Sequence, residues 1–503
     1  MKKQPVIAIL DIGKTNKKLF VLDENYHIIL EHTEQFADIM DDDGEPCEDI
    51  TRLSNWIESS LKKVINQPEF DVKAVNFSTY GASFVLLKTA SIGASGRVVG
   101  EVVAPLYNYL KAFPDDLKTS FYDKYGGEIT VSSQTASPVL GNLNSGMQLY
   151  FLKERKPHIY DRANAALHLP QYASFLVTKR LFSDITSIGC HTNLWHFEKN
   201  EYHEWVEKEG ISKILPPIFP SDAAIPALFE DKELVVGVGL HDSSAALIPY
   251  LMSFHEPFIL ISTGTWCISM NPFNDVPLTP EELAQDSLCY LSYQGKSVKA
   301  ARIFAGNEHE LETRRIAEYF NCPLDFYKNV EFDPEIAHIL RGDNSELISN
   351  NSELNLINLE LNDPEFNLIN DELNTINSQL KTNNKGELSS VLKVSGFEKR
   401  DLINYKNETI AYHQLMLDLV KLQAVSTNLI IQNTPVRRLF IDGGFSKNPL
   451  YMNLLAESFP DLEVFAASVA QATAVGAALA IHRFWNRKPL RKDLIDLKYY
   501  AVA

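Results

Sequence analysis

Asp11, Gly13, Lys14 and Thr15 stand almost side by side in "AILDIGKTNKKLFVLD" (8–23). Glycine, lysine and a hydroxyl at this spacing are the residue types of a phosphate loop. With Ala8 in place of the leading glycine, the segment even fits a loose P-loop pattern. A P-loop, however, is a strand that enters a glycine-rich loop and opens into a helix, whose free amides cradle the phosphates. Here Ile9-Leu10-Asp11-Ile12 would continue a strand, Leu19 to Leu22 is β-prone, Asp23-Glu24-Asn25 is a turn, and Tyr26 to Leu30 reads as another strand. The context is therefore strand, tight turn, strand, with Asp11 closing the first strand. A carboxylate there cannot cradle a phosphate, but it can hold Mg²⁺ directly or through water, and Mg²⁺ brings the phosphate with it.

The elements that must position this turn recur along the chain. Val6–Leu10, Leu19–Leu22, Ala74–Ser78 and Phe84–Leu87 read as strands, with helices near 143–154 and 170–179, an α/β alternation. About 250 residues downstream, "PFILISTGTWCISMNP" (257–272) repeats the theme of strand, small-residue turn at Thr263-Gly264-Thr265, and strand. Two such hairpins suggest a duplicated architecture with a site between the halves; two unrelated hairpins are the alternative. "RRLFIDGGFSKNPLYMNLLAESF" (437–459) reads as a strand, a glycine pair and a helix opening near Asn448-Pro449. Bare backbone and helix amides there suit a ligand, although a Gly-Gly turn can be only a turn. "VAQATAVGAALAIHRF" (469–484) is a helix of small residues that permits close helix approach. The stretch 344–384, rich in Asn, Leu, Glu and Ile, reads as an insertion on the second domain.

The bulk numbers narrow the function classes. A chain of 503 residues is too long for one core. A net charge of −18 argues against a nucleic-acid surface. The five cysteines are scattered without a CxxC pair, which suits a reducing compartment. No signal peptide and no apolar run of membrane-spanning length is present, so a cytoplasmic enzyme is the expectation.

In order and spacing, five segments resemble the motifs of the FGGY family of carbohydrate kinases, within the actin- and hexokinase-like ATPase superfamily. "DIGKTNKKLF" resembles its first phosphate motif, "GVGLHDSSAAL" (237–247) its catalytic segment and "STGTW" (262–266) its second phosphate motif. "DGGFSKNPLY" (442–451) resembles the adenosine motif and "ATAVGAALA" the C-terminal signature. The resemblance covers nearly the whole chain. It implies an α/β fold of two duplicated actin- or ribonuclease-H-like domains, each a mixed sheet flanked by helices, with the active site in the cleft between them. On this basis residues 1–240 form the N-terminal, sugar-binding domain and 241–503 the C-terminal, nucleotide-binding domain.

The resemblance also implies ATP and Mg²⁺ as cofactors, a small-molecule sugar as substrate, and roles for named residues. Asp242 would be the catalytic base; a helix N-cap is the alternative role for a carboxylate at that place. Asp11 would hold Mg²⁺ through water. Lys14, Thr15 and Asn16 would line the first phosphate turn, with Gly264 and Thr265 facing them. Gly443, Gly444 and Asn448 would contact the adenosine part. Lys14 departs from the hydroxyl residue common at that place, and Gln471 from the usual glutamate.

"NFSTYGASFVLLK" (76–88) resembles the substrate loop of rhamnulokinases, which reads Thr-Trp-Gly-Val-Asp-Phe; Tyr80 replaces the tryptophan and Ala82-Ser83 replace Val-Asp. The His241-Asp242 pair and "GTW" point to the same subgroup. Gly81, Ser83, His241 and Ser243 are thus the expected substrate-binding residues, and Gly81 would let a sugar approach the backbone. The implied substrate is a ketose, a deoxy-ketohexose such as L-rhamnulose or L-fuculose. Xylulose, ribulose, another alditol, or a non-catalytic sensor of sugar or nucleotide are the alternatives. "ARIFAGNEHELE" (301–312) reads by default as a solvated helix face. The oligomeric state stays open, a homodimer included.

Overall fold

The computed structural model of the protein describes residues 3–92, 96–341, 394–491 and 493–501, so the Asn-rich stretch 344–384 lies outside the described residues. Two seven-stranded mixed sheets dominate. The first starts with β1 (Gln4–Ile12), β2 (Asn16–Asp23) and β3 (Ile28–Gln35), an antiparallel meander. Parallel to β1 lies β4 (Phe70–Thr79), followed by β5 (Ala224–Phe229), β6 (Lys232–Gly237) and the short β7 (Leu240–His241). The spatial order is β5-β6-β4-β1-β2-β3, with β7 continuing beside β4.

The second sheet repeats this plan. β8 (Phe258–Thr263) and β9 (Cys267–Asn271) form its hairpin, and β10 (Ser287–Leu291) and β11 (Ser297–Ile303) extend it. β12 (Arg438–Gly443) lies parallel to β8, then β13 (Glu463–Ser468) and β14 (Asp496–Tyr500) complete the order β10-β11-β9-β8-β12-β13-β14. The hairpin, its third antiparallel strand and the parallel neighbour occur in the same order in both sheets. This is the duplication that the repeated hairpin suggested.

Each sheet buries a helical layer. α1 (Ile50–Ile65) is capped by Asp49, whose side chain accepts from the amide of Arg52. Its Leu53, Ile57, Leu61 and Val64 recur at helical spacing and pack on the inward face of β1 and β2. α2 (Leu169–Thr178) joins the same core. Between the sheets run α3 (Asp242–Ser253) and, antiparallel in role as spacers, a later helix of small residues described below. α4 (Ala305–Phe320), α5 (Glu408–Ile431) and α6 (Pro449–Ser458) cover the far side of the second sheet.

The small-residue segment forms α7 (Ala472–Ala480), starting three residues later than its composition suggested because Gln471 sits at φ 54 and begins the helix rather than continuing it backwards. A separate turn of helix, His482–Trp485, follows. At Gly476 a Cβ would lie 1.8 Å from the Ala245 carbonyl oxygen, so only glycine lets α7 pack this closely on α3. Asn76 of β4 pins α7 from the other side, donating to the Ala477 carbonyl at 2.8 Å. The sequence thus builds a rigid spacer that fixes the end of β1 against the start of α3.

Candidate active site

Asp11 is the penultimate residue of β1, and its Oδ2 accepts from the Thr473 hydroxyl on α7 at 2.7 Å. Burial and the nearby Asp242 push its carboxyl up to about 6, with hydrogen bonding and Lys18 acting the other way. Asp242 opens α3 as its first helical residue. It is not the N-cap: His241 holds that place, and Asp242 Oδ1 accepts only from the adjacent Ser243 amide at 2.6 Å and the Ser243 hydroxyl at 3.3 Å. The cap alternative therefore loses its geometry. His241 Nε2 lies 3.2 Å from the same Oδ1 and 3.4 Å from Cys190 Sγ. Burial lowers the His241 pKa, partly offset by Asp242. The structure thus brings Asp11, Asp242, His241 and Ser243 together.

Gly81 joins them through packing. A Cβ on Gly81 would sit 2.3 Å from His241 Cδ2, so the missing side chain makes room for the imidazole. Ser83 is buried, and its hydroxyl donates to the Tyr107 carbonyl at 3.1 Å.

The first phosphate turn is braced from beneath by a group that sequence reading missed. Lys17, 2% exposed, donates to the carbonyls of Gly13 at 3.2 Å and Lys14 at 2.9 Å, and pairs with Glu48 at 2.6 Å. Glu48 also accepts from the Tyr80 hydroxyl at 2.6 Å. One buried carboxylate therefore ties the turn to the loop carrying Gly81. The available signal was strand alternation, since Lys17 shares a face with Leu19 and Val21. Lys14 reaches Asp38 at 3.6 Å, Thr15 is exposed at the tip, and Asn16 accepts from Gln35 at 2.9 Å. Lys18, opposite Asp11 across the hairpin, reaches Gln471 at 3.4 Å.

The second turn is held by backbone. The Gly264 amide donates to the Trp266 carbonyl at 2.9 Å, and the Asn307 amide to the Thr265 carbonyl at 3.2 Å. Gly264 and Thr265 line a cavity of about 460 Å³ with Gly306, Asn307, His309 and Tyr327 at the start of α4. Segment 301–312 is thus not a solvated helix face. Arg302 lies on β11 in a buried two-pronged ion pair with Asp286, at 3.0 and 2.7 Å, and only from Ala305 onward is the chain helical. Gly443 and Gly444 are exposed beside this turn, the Gly444 amide donating to the Thr263 carbonyl at 2.9 Å. Asn448 caps α6 through the Tyr451 amide and donates to the Tyr412 hydroxyl at 2.6 Å, which leaves its side chain committed to the protein.

One glycine-turn hairpin thus carries a carboxylate beside the helical spacer, and the other is built from bare backbone. Comparison with known proteins gives the arrangement its lineage. The N-terminal domain of the FGGY family of carbohydrate kinases matches residues 6–247. Two C-terminal domain descriptions of the same family match 255–324 and 410–483. The chain belongs to the FGGY family of carbohydrate kinases.

Within the FGGY family, similar curated proteins include an L-fuculokinase of Escherichia coli K12, 22% identical over 53% of this chain and 57% of that protein. A rhamnulokinase of Halalkalibacterium halodurans is 24% identical over 52% of this chain and 54% of its own length. The chain spans about half the length of the curated relatives it matches. A ligand-bound xylulose kinase from Lactobacillus acidophilus superposes with a TM-score of 0.71 at 15% identity, covering 99% of this chain and 94% of that one. The last likeness establishes the fold, a two-domain FGGY architecture. Among the described residues no helix is long and apolar enough to cross a membrane.

Proposed function

We propose that the protein is an ATP- and Mg²⁺-dependent kinase that phosphorylates a hydroxyl of a ketose, a deoxy-ketohexose such as L-rhamnulose or L-fuculose. The observation that carries this reading is the closeness of Asp242 to Asp11 at the first phosphate-type turn. Burial and Asp242 raise the proton affinity of the Asp11 carboxyl, so a cation or a proton is favoured beside it. The oxygen-only donors Asp11 and Thr473 suit a hard cation such as Mg²⁺, which when bound would neutralise phosphate charge. The names of the curated relatives support the sugar class.

In this reading Asp242 accepts the proton of the substrate hydroxyl. Its Oδ1 is held by the Ser243 amide and faces His241, while Oδ2 has no hydrogen bond among the described residues. Lys14, Thr15 and Asn16 line the turn that Lys17 braces, and Gly264 and Thr265 with the adjoining cavity receive the nucleotide, Gly443, Gly444 and Asn448 shaping its rim. Residues 1–240 serve the sugar and 241–503 the nucleotide. Closure of the two excludes water from the γ-phosphate. The five cysteines, all free, support a cytoplasmic site of action.

The test is ATP consumption against a panel of ketoses and alditols, with Asp242→Ala beside the wild type. Turnover on one ketose that falls by about 10²–10⁴ in the variant supports the assignment. Turnover on an alditol instead moves the substrate class. ATP binding without turnover on any sugar would replace the kinase with a sensor.

A further inference from the structure

A cavity of about 910 Å³ lies away from the two hairpins, and its lining runs against the charge of the whole molecule. Lys73, Arg97, Arg180, Arg483 and Arg487 face it against a single carboxylate, Glu233, in a chain of net charge −18. Lys73 is paired with Asp71 at 2.6 Å and Arg483 with Asp222 at 3.2 Å. Arg97, Arg180 and Arg487 have no ion pair among the described residues. Three parts of the chain converge to bring these cations together. They are the β5–β6 edge of the first sheet with Lys73 on β4, the region of Arg97 and the end of α2, and the helical turn His482–Trp485 that directly follows α7. Like charges gathered from such distant segments repel, and the fold keeps five cations here with fewer acids than would balance them. Beside them Phe484 and Leu228, 40% and 52% exposed, leave apolar surface open, and the Arg483 guanidinium lies 5.0 Å from the centre of the Phe484 ring.

We propose that this cavity is a binding site for a small organic phosphate, distinct from the nucleotide cleft. The guanidinium fork matches phosphate oxygens two at a time, and three forks without an ion pair among the described residues, two from the Arg97–Arg180 side and one from Arg487, suit a dianionic group. The volume falls in the range of small-molecule sites. The net charge of −18 repels an extended polyanion, which argues for a compact ligand over nucleic acid. Phe484 and Leu228 take the carbon part of the ester.

The experiment is calorimetric titration of the full chain with inorganic phosphate and with glucose 6-phosphate, the nucleotide cleft first filled with a non-hydrolysable ATP analogue. Binding to the Arg180→Ala/Arg487→Ala double variant is measured alongside. One saturable site per chain, weakened at least about tenfold in the double variant, is the expected result. Equal affinity for the two anions assigns recognition to the phosphate alone and makes free phosphate the source. A clear preference for the ester assigns a share to Phe484 and Leu228, and Phe484→Ala then removes that preference. Binding unchanged in the double variant, or no binding of either anion up to ~10 mM, overturns the site. Tighter capture of heparin than of either anion also overturns it. Should the double variant fail to fold, Arg97→Gln alone carries the same comparison. The measurement does not use turnover, so it stands apart from the kinase assignment.

Discussion

The two hairpins, β1–β2 and β8–β9, share a sheet position and a glycine turn, yet they stabilise and present that turn in opposite ways. In the first, Asp11 precedes the turn and Lys17 lies under it, its ammonium bonded to two turn carbonyls and to Glu48. In the second, the corresponding places hold Ser262 and Ile268, and Asp442 sits on the adjacent strand and accepts from the Tyr250 hydroxyl at 2.9 Å. The second turn is instead clamped by glycines: a Cβ on Gly306 would lie 1.8 Å from the Gly264 carbonyl oxygen, and one on Gly443 2.0 Å from that of Thr263. One scaffold has thus diverged into a charged end and a bare-backbone end. The acid and the backbone turn thus come from the two halves of one duplicated plan.

This contrast is broken most severely at Asp11. Asp11→Asn should lower turnover by about 10²–10³ or more, because the carboxylate that balances the cation is gone. The matching change Ser262→Ala should stay within about threefold. Steady-state ATP turnover as a function of Mg²⁺ concentration separates the two, and equal losses would show that the hairpins are chemically equivalent.

Lys17 gives the next largest effect. Lys17→Met leaves Glu48 charged, buried and without its cation, which costs about 3–5 kcal/mol of stability. The double variant Lys17→Met/Glu48→Gln should recover a large part of that in urea unfolding. If it recovers nothing, the ammonium acts through the turn carbonyls alone.

Gly443→Ala should cost about 1–3 kcal/mol, since Gly443 adopts φ 95 and its Cβ would strike the Thr263 carbonyl. Gly264→Ala should cost a few tenths, because at Gly264 the nearest obstacle is 3.8 Å away. Unfolding midpoints of the pair therefore test whether the second hairpin depends on close backbone contact at Gly443 and not at its tip.

Sequence reading reached the features whose signals are local. Alternating apolar runs bounded by small residues marked both hairpins, and Asp11 could be placed at a strand end because its neighbours are β-prone. Asp242 was reachable only through motif resemblance, for a carboxylate at a helix start reads equally well as a cap until the amide it contacts is known. What escaped was set by partners far along the chain. Arg302 pairs with Asp286 across β10 and β11, so a window centred on 301–312 shows charge and predicts solvent. Lys17 is buried because Glu48 meets it from the loop before α1. The space at Gly81 is filled from residue 241.

The smallest expected effect turns on the acidity of Asp11. Burial and Asp242 raise its carboxyl to about 6, so in the folded protein the ionised form is disfavoured relative to the unfolded chain. The stabilising share of the neutral acid is complete below the unfolded carboxylate range and is lost as pH rises through about 6. At pH 8 Asp11 therefore costs the metal-free protein stability, and Asp11→Asn removes that cost while abolishing cation binding. The variant should melt a few degrees above wild type at pH 8 without Mg²⁺, by an increment that shrinks toward zero as pH falls to about 4. Adding Mg²⁺ should raise the wild-type midpoint and leave the variant unmoved. In the second hairpin Ser262→Ala offers no titrating group at this position, so its melting difference should be flat across the same pH range. A pH-dependent gain in Asp11→Asn alone would show that the first hairpin holds its carboxylate at the expense of stability, as a site kept for a cation should.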